Sequence, residues 1–227
     1  MKKYRWLLFD ADGTLFDFAR AEESALAQTC RTLGIDFQPA HAEAYRRINV
    51  AAWHAFEQGE LSLTDLRSIR FARFFAEFGL EGDPLATSDQ YIAFLGQGHY
   101  LLDGAEALIA GVTGRYDLAL ITNGISHVQR PRLAASPLAN SFNPVVISDE
   151  IGVAKPDPAY FDYAFGQMGW PAREDVLIIG DSLTSDMRGG QNYGVDTCWF
   201  NPEGKAAPAD LAITYEVRSL GELAGRL

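Results

Sequence analysis

The rhythm of apolar positions changes twice along this chain. Near the start, Trp6-Leu7-Leu8-Phe9 is a continuous apolar run cut off by Asp10. Such a run predicts a short strand buried on both faces. From Ala19 to Gly96 the spacing becomes helical, with predicted helices over 19–33, 38–58, 62–78 and 83–95, the first three stopped by Gly34, Gly59 and Gly79. Ser62-Leu63-Thr64-Asp65 resembles a capping box with an acid in the glutamate position. The stripe Leu66, Ile69, Phe71, Phe74, Phe75 and Phe78 recurs mostly at three- and four-residue steps and reads as bundle core.

Beyond Gly96, short apolar runs alternate with helical stretches. Strands are predicted over 117–121, 144–148, 175–179 and 197–200, and helices over 104–112, 158–168 and 184–193. That alternation indicates an α/β fold, a doubly wound parallel-sheet (Rossmann-like) core. The first strand belongs to the same sheet, so the helices between are an inserted α-helical bundle. Residues 1–16 and 97–227 are assigned to the core and 17–96 to a helical cap domain.

Polar residues gather where four strands end, the side of an open α/β sheet at which ligands bind. Trp6–Phe9 leads into Asp10 and Asp12. The second strand leads into Thr122-Asn123-Gly124, the third is followed by Lys155-Pro156, and the fourth leads into Gly180-Asp181 with Asp186 beyond. Each cluster alone is a common turn or helix entrance. Four at successive strand ends predict one site. Asp10, Asp181 and Asp186 offer oxygens to a hard cation, and magnesium suits them better than zinc because no His or Cys cluster is present. Lys155, the Thr122 hydroxyl and the amides at Asn123 and Gly124 are donors suited to phosphate oxygens. A carboxylate nucleophile needs no base to activate it, and a second acid, Asp12, can serve the leaving oxygen.

Charge and composition narrow the picture. A formal net charge of -11 disfavours long-range attraction to nucleic acid or anionic membranes. The apolar run behind the basic N-terminus is too short for a signal-peptide core or a membrane span. Cys30 and Cys198 are far apart and read as buried free thiols. A reducing, cytoplasmic setting follows, with a monomer or homodimer as the expected assembly. His41, His54, His99 and His127 show no metal-ligand spacing and read as surface or packing residues.

Together, Asp10-Ala11-Asp12-Gly13-Thr14, Thr122-Asn123, Lys155-Pro156 and Gly180-Asp181 through Asp186 resemble the four signature motifs of the haloacid dehalogenase superfamily of phosphatases. The runs around Phe9–Phe16, Ile121–Gly124, Val146–Pro158 and Thr197–Trp199 look like its bacterial pyrimidine 5'-nucleotidases. The resemblance implies Asp10 as nucleophile, forming an aspartyl-phosphate, and Asp12 as general acid and then base. It implies Mg²⁺ held by the Asp10 carboxylate, the Asp12 backbone carbonyl and Asp181, with Asp186 supporting the metal site. Thr122, Asn123 and Lys155 would hold the phosphoryl group of a small phosphomonoester, a nucleoside monophosphate above all, under the cap. Phe16, Asn49 and Trp53 are candidate contacts to that substrate.

A sugar-phosphate phosphatase or a phosphomutase of the same superfamily would use the same aspartates. A 2-haloacid dehalogenase would lack Asp12, and a receiver domain would leave the inserted helices without a place. Pro131, six residues after Ile125, falls where the helix behind Thr122-Asn123 should run, so that helix is expected to start late or kink.

Overall fold

The structure, a computed structural model, describes residues 3–227. Their contacts form two compact units: the described residues up to Phe18 together with His99–Leu227, and Ala19–Gly98. In chain order the elements are β1 (Trp6–Phe9), α1 (Phe18–Thr32), α2 (Pro39–Glu57), α3 (Leu63–Phe78), α4 (Pro84–Leu95), α5 (Ala105–Val112), β2 (Asp117–Thr122), α6 (Ser126–Ala135), β3 (Val145–Ile147) and α7 (Ser148–Ile151). They continue as α8 (Pro158–Gln167), β4 (Val176–Gly180), a π-helical turn (Leu183–Met187), α9 (Arg188–Tyr193), β5 (Asp196–Phe200), β6 (Tyr215–Val217) and α10 (Leu220–Arg226).

The sheet of the first unit has six parallel strands in the order β3-β2-β1-β4-β5-β6, the doubly wound arrangement. Register explains why its strands are apolar throughout. Leu7 pairs with Leu118 and Leu177, and Phe9 with Leu120 and Ile179. All six point to one face, where α5 and α10 supply Leu108, Ile109, Leu220 and Leu223. Leu8, Ala119 and Ile178 point to the other, against Tyr160, Phe161 and Phe165 of α8. With both faces covered, alternation with polar residues has no place on β1, β2 or β4.

The sheet differs from the sequence expectation at its far edge. β6 and α10 complete it, and the three residues Tyr215–Val217 are too short to register as a strand pattern. The helix expected over 184–193 splits into the π-helical turn and α9. Helix α6 runs from Ser126 through Pro131 to Ala135, so the proline neither delays nor ends it. Pro131 forgoes the bond that an N–H there would have given the His127 carbonyl.

The second unit contains α2, α3, α4 and nearly all of α1. Its core is aromatic: Tyr45 lies 5.2 Å from Phe71 and 5.1 Å from Tyr91, ring centre to ring centre. The capping box forms as the sequence suggests, with Ser62 Oγ accepting from the Asp65 amide and the Asp65 carboxylate accepting from the Ser62 amide. Hydropathy does not reveal what lies beside the aromatics. Glu22, Asn49 and Arg70 are buried together, Asn49 Nδ2 donating to Glu22 Oε1 (2.7 Å) and Arg70 Nη1 to Asn49 Oδ1 (2.9 Å). Burial raises the Glu22 pKa above its ordinary value, opposed by the Asn49 bond and by Arg46.

Phe71 touches Tyr45, Phe74, Phe75 and Tyr91. Phe71→Ala is expected to destabilise the helical unit by about 3–5 kcal/mol, as large-to-small changes at buried aromatics do. Denaturant unfolding followed on that unit's transition measures it.

Candidate active site

Strand β1 lies at the centre of the sheet, and its continuation places the first motif at the carboxyl edge. The Asp10 amide still donates to Ile179 O (2.9 Å), so Asp10 is held as an extension of the strand. The chain then turns tightly: Leu15 and Phe16 amides both donate to Ala11 O, and Gly13 N donates to Phe16 O. Gly13 has φ +81°, and a Cβ there would stand 2.5 Å from Asp181 Oδ2. Only glycine satisfies both the backbone angle and the close approach of Asp181.

Lys155 reaches the same place from the loop beyond β3. It is 1% exposed, and Nζ donates to Asp10 Oδ1 (2.8 Å), Asp186 Oδ1 (2.6 Å) and Ile121 O (3.0 Å). All three of its protons are used. Burial pulls the Lys155 pKa down, but Asp10 and Asp186 outweigh it and hold the ammonium charged. Asp186 hangs from the π-helical turn, folded back so that a Cβ on Gly180 would meet its Oδ2 at 2.2 Å. That oxygen also accepts from the Ser182 amide.

Asp10, Asp181 and Asp186 bring carboxylate oxygens within 4.8 Å of one another. Burial, and then the charges of Asp186 and Asp181, push Asp10 well above the usual carboxylate range, with Lys155 opposing. Asp181 sits at the open rim, yet desolvation and repulsion from Asp186 push it up to about 7. When all are ionised, three carboxylates and one ammonium leave an excess of two negative charges. An all-oxygen donor set with that excess fits a hard divalent cation.

Asp12 is held differently. Its side chain keeps 26% of its surface open, and its two oxygens are gripped by Arg132 Nη2 and by Gln129 Nε2 (2.6 Å), both from α6. The Thr122 hydroxyl accepts from the Gly124 amide (3.0 Å), which leaves its own proton to donate. The Asn123 side chain is spent inside the protein: its Nδ2 donates to Lys155 O and its Oδ1 accepts from Lys155 N, each at 2.8 Å, so the carboxamide fixes the Lys155 backbone.

The candidate substrate contacts are also placed. Phe16 is buried, with the Arg132 guanidinium 4.7 Å over its ring. Asn49 spends both ends of its carboxamide on Glu22 and Arg70. Trp53 is part-buried and meets Phe56 edge to face at 5.6 Å. Four contributors escaped the sequence reading: Thr14, whose hydroxyl lies 3.2 Å from Asp10 Oδ2 and 3.4 Å from Asp181 Oδ1; Trp199, whose indole donates to Asp181 O (2.9 Å); and the pair Gln129 and Arg132. The one signal for that pair was its three-residue spacing on the helix entered from Thr122-Asn123.

The chain is similar to known proteins in sequence and in fold. The sequence model of the haloacid dehalogenase-like hydrolases matches residues 4–194. This chain belongs to that family. It is 41% identical to the putative HAD-hydrolase YfnB of Bacillus subtilis over 98% of this chain and 95% of that protein. It is 39% identical to the pyrimidine 5'-nucleotidase PynA of Streptococcus pneumoniae (97% and 93%) and 34% identical to the pyrimidine 5'-nucleotidase YjjG of Escherichia coli (97% and 96%). The crystal structure of YfnB bound to magnesium superposes with a TM-score of 0.95 at 40% identity, covering 100% of this chain and 99% of that one. Among the described residues no helix is long and apolar enough to cross a membrane.

The raised Asp181 pKa gives a signed prediction. The folded site binds a proton that the unfolded chain releases, so this group's contribution to metal-free stability declines as pH rises from about 4 to about 7. A divalent cation relieves the repulsion and competes with that proton. The rise in melting temperature on adding Mg²⁺ is therefore expected to be larger at about pH 8 than at about pH 5.5, and Asp181→Asn to abolish it. Thermal unfolding with and without Mg²⁺ at the two pH values checks this.

Proposed function

We propose that the protein is a Mg²⁺-dependent phosphomonoester hydrolase that works through an aspartyl-phosphate on Asp10, with nucleoside 5'-monophosphates as substrates. The observation that carries this reading is the contrast between two carboxylates at the end of one central strand. Asp10 is buried against the Lys155 ammonium, while Asp12 is part-open and gripped from α6. Two acids in different environments suit two roles, nucleophile and proton carrier.

In the first half of the reaction an Asp10 carboxylate oxygen attacks phosphorus, the ester P–O bond breaks, and Asp12 gives its proton to the departing oxygen. In the second half Asp12 takes a proton from water, the water oxygen attacks the same phosphorus, and inorganic phosphate leaves with Asp10 restored. Lys155 keeps Asp10 in place and offers charge to the phosphoryl oxygens, and Thr122 offers its free hydroxyl proton. Mg²⁺, held by the Asp10 carboxylate, the Asp12 backbone carbonyl and Asp181, would neutralise the charge that otherwise repels a phosphate dianion. Asp186, both oxygens already engaged, supports Lys155 from behind.

The dehalogenase alternative has no use for Asp12, since a departing halide takes no proton. The preference for nucleotides rests on PynA and YjjG, both named pyrimidine 5'-nucleotidases. Of the three candidate contacts, Asn49 and Phe16 are engaged within the protein, which leaves part-buried Trp53 as the candidate for a base.

A phosphate-release screen over nucleotides and sugar phosphates is expected to show Mg²⁺-dependent turnover, highest on pyrimidine nucleoside monophosphates. Asp10→Asn is expected to remove it by at least about 10³-fold and Asp12→Asn to lower it by about 10²–10⁴-fold. Absence of phosphate release from every ester tried would refute the assignment.

A further inference from the structure

Arg132 is a costly side chain to bury in the sheet unit. It is fully buried, and only one arm of its guanidinium is bonded: Nη2 donates to Asp12 and to Gln129 Oε1 (2.9 Å), while Nε and Nη1 have no partner. A leucine or methionine would fill the same volume on α6 without burying a charge, so packing alone does not explain an arginine here. Two further features are fitted to it. The Phe16 ring forms a shelf under the guanidinium. Gly124 is bare where a Cβ would stand 2.2 Å from Gln129 Nε2, so the loop after β2 leaves room for the glutamine to pass. Gln129, also buried, then meets the second Asp12 oxygen. Three residues apart on one helix face, the pair fixes both oxygens of one carboxylate.

We propose that Gln129 and Arg132 are positioning residues for Asp12: bonded to each other, they set the direction of its carboxyl group, and through it the efficiency of proton delivery to the leaving oxygen. Neither needs to touch the substrate. The inference rests on the phosphatase reading and on Asp12 as its proton carrier. It predicts a defect that depends on how much the leaving group needs a proton. An alkyl ester such as a nucleoside monophosphate needs one at departure. An aryl ester such as p-nitrophenyl phosphate departs as a stabilised anion and hardly does.

The test compares kcat/KM of Mg²⁺-loaded wild type, Arg132→Met, Gln129→Met and Asp12→Asn on those two esters. This parameter reports only steps through departure of the leaving group, so slow breakdown of a phosphoenzyme does not enter. Both α6 variants are expected to lose about 10- to 100-fold on the alkyl ester and less than about threefold on the aryl ester, below the full loss of a general acid. Arg132→Lys, which keeps a donor and the charge, is expected to recover part of the alkyl-ester activity. The Asp12→Asn, Arg132→Met double variant should fall no further than Asp12→Asn alone, because the pair acts through Asp12. Equal losses on both esters, no loss on either, or additive losses in the double variant would overturn the proposal. If Arg132→Met does not fold, Gln129→Met is read by the same criterion. A wild type inactive on both esters would overturn the nucleotide-phosphatase reading on which the proposal rests, whereas an active wild type with unselective variants overturns only the role given to α6.

Discussion

One buried ammonium organises the sheet unit's catalytic edge. Lys155 Nζ stands between Asp10 and Asp186 with its third proton on the Ile121 carbonyl. Three different strand ends are thereby tied to one charge. Breaking such a pair would leave a carboxylate buried without compensation, which is far costlier than the pair is favourable. The surrounding structure serves this arrangement. The Asn123 carboxamide grips the Lys155 backbone, the π-helical turn folds Asp186 inward, and Gly180 and Gly13 make room for Asp186 and Asp181. The single ammonium is nevertheless outnumbered, and the remaining negative charge is what calls for a divalent cation.

Asp12 shows the opposite solution on the same strand end. Its partners come from α6, its side chain is open to solvent on one side, and it shares nothing with Lys155. The motif thus separates two chemically identical side chains within three residues. Turn geometry at Gly13 does this: Asp10 continues the strand into the interior and Asp12 departs from it.

Much of this was legible before the structure. Continuous apolar runs over Leu118–Ile121 and Val176–Ile179 identified strands covered on both faces, and polar residues at their ends identified the site. The Ser62–Asp65 box and the Phe71–Phe75 stripe identified α3. The unread features depend on partners distant in sequence. Arg70 in the helical unit, like Arg132 in the sheet unit, looks like a solvated helix position until Asn49 or Asp12 is seen against it, and Asn49 looks like a substrate contact until Glu22 and Arg70 are seen to hold its carboxamide. The commitment of the Asn123 carboxamide to Lys155 crosses a gap of 32 residues, so no local pattern announces it. Pro131 argued against a continuous α6, but a ten-residue helix with the proline on its exposed side tolerates one missing bond.

The central claim is that Asp10 carries the phosphoryl group. An acyl phosphate is reduced by borohydride to the corresponding alcohol, so an aspartyl-phosphate trapped during turnover becomes homoserine. Quenching the Mg²⁺-loaded enzyme during turnover of a nucleoside monophosphate, reducing it and mapping its peptides should place homoserine at position 10 and nowhere else. Steady release of phosphate with unmodified Asp10 in the same samples would contradict the account and point to direct attack by water.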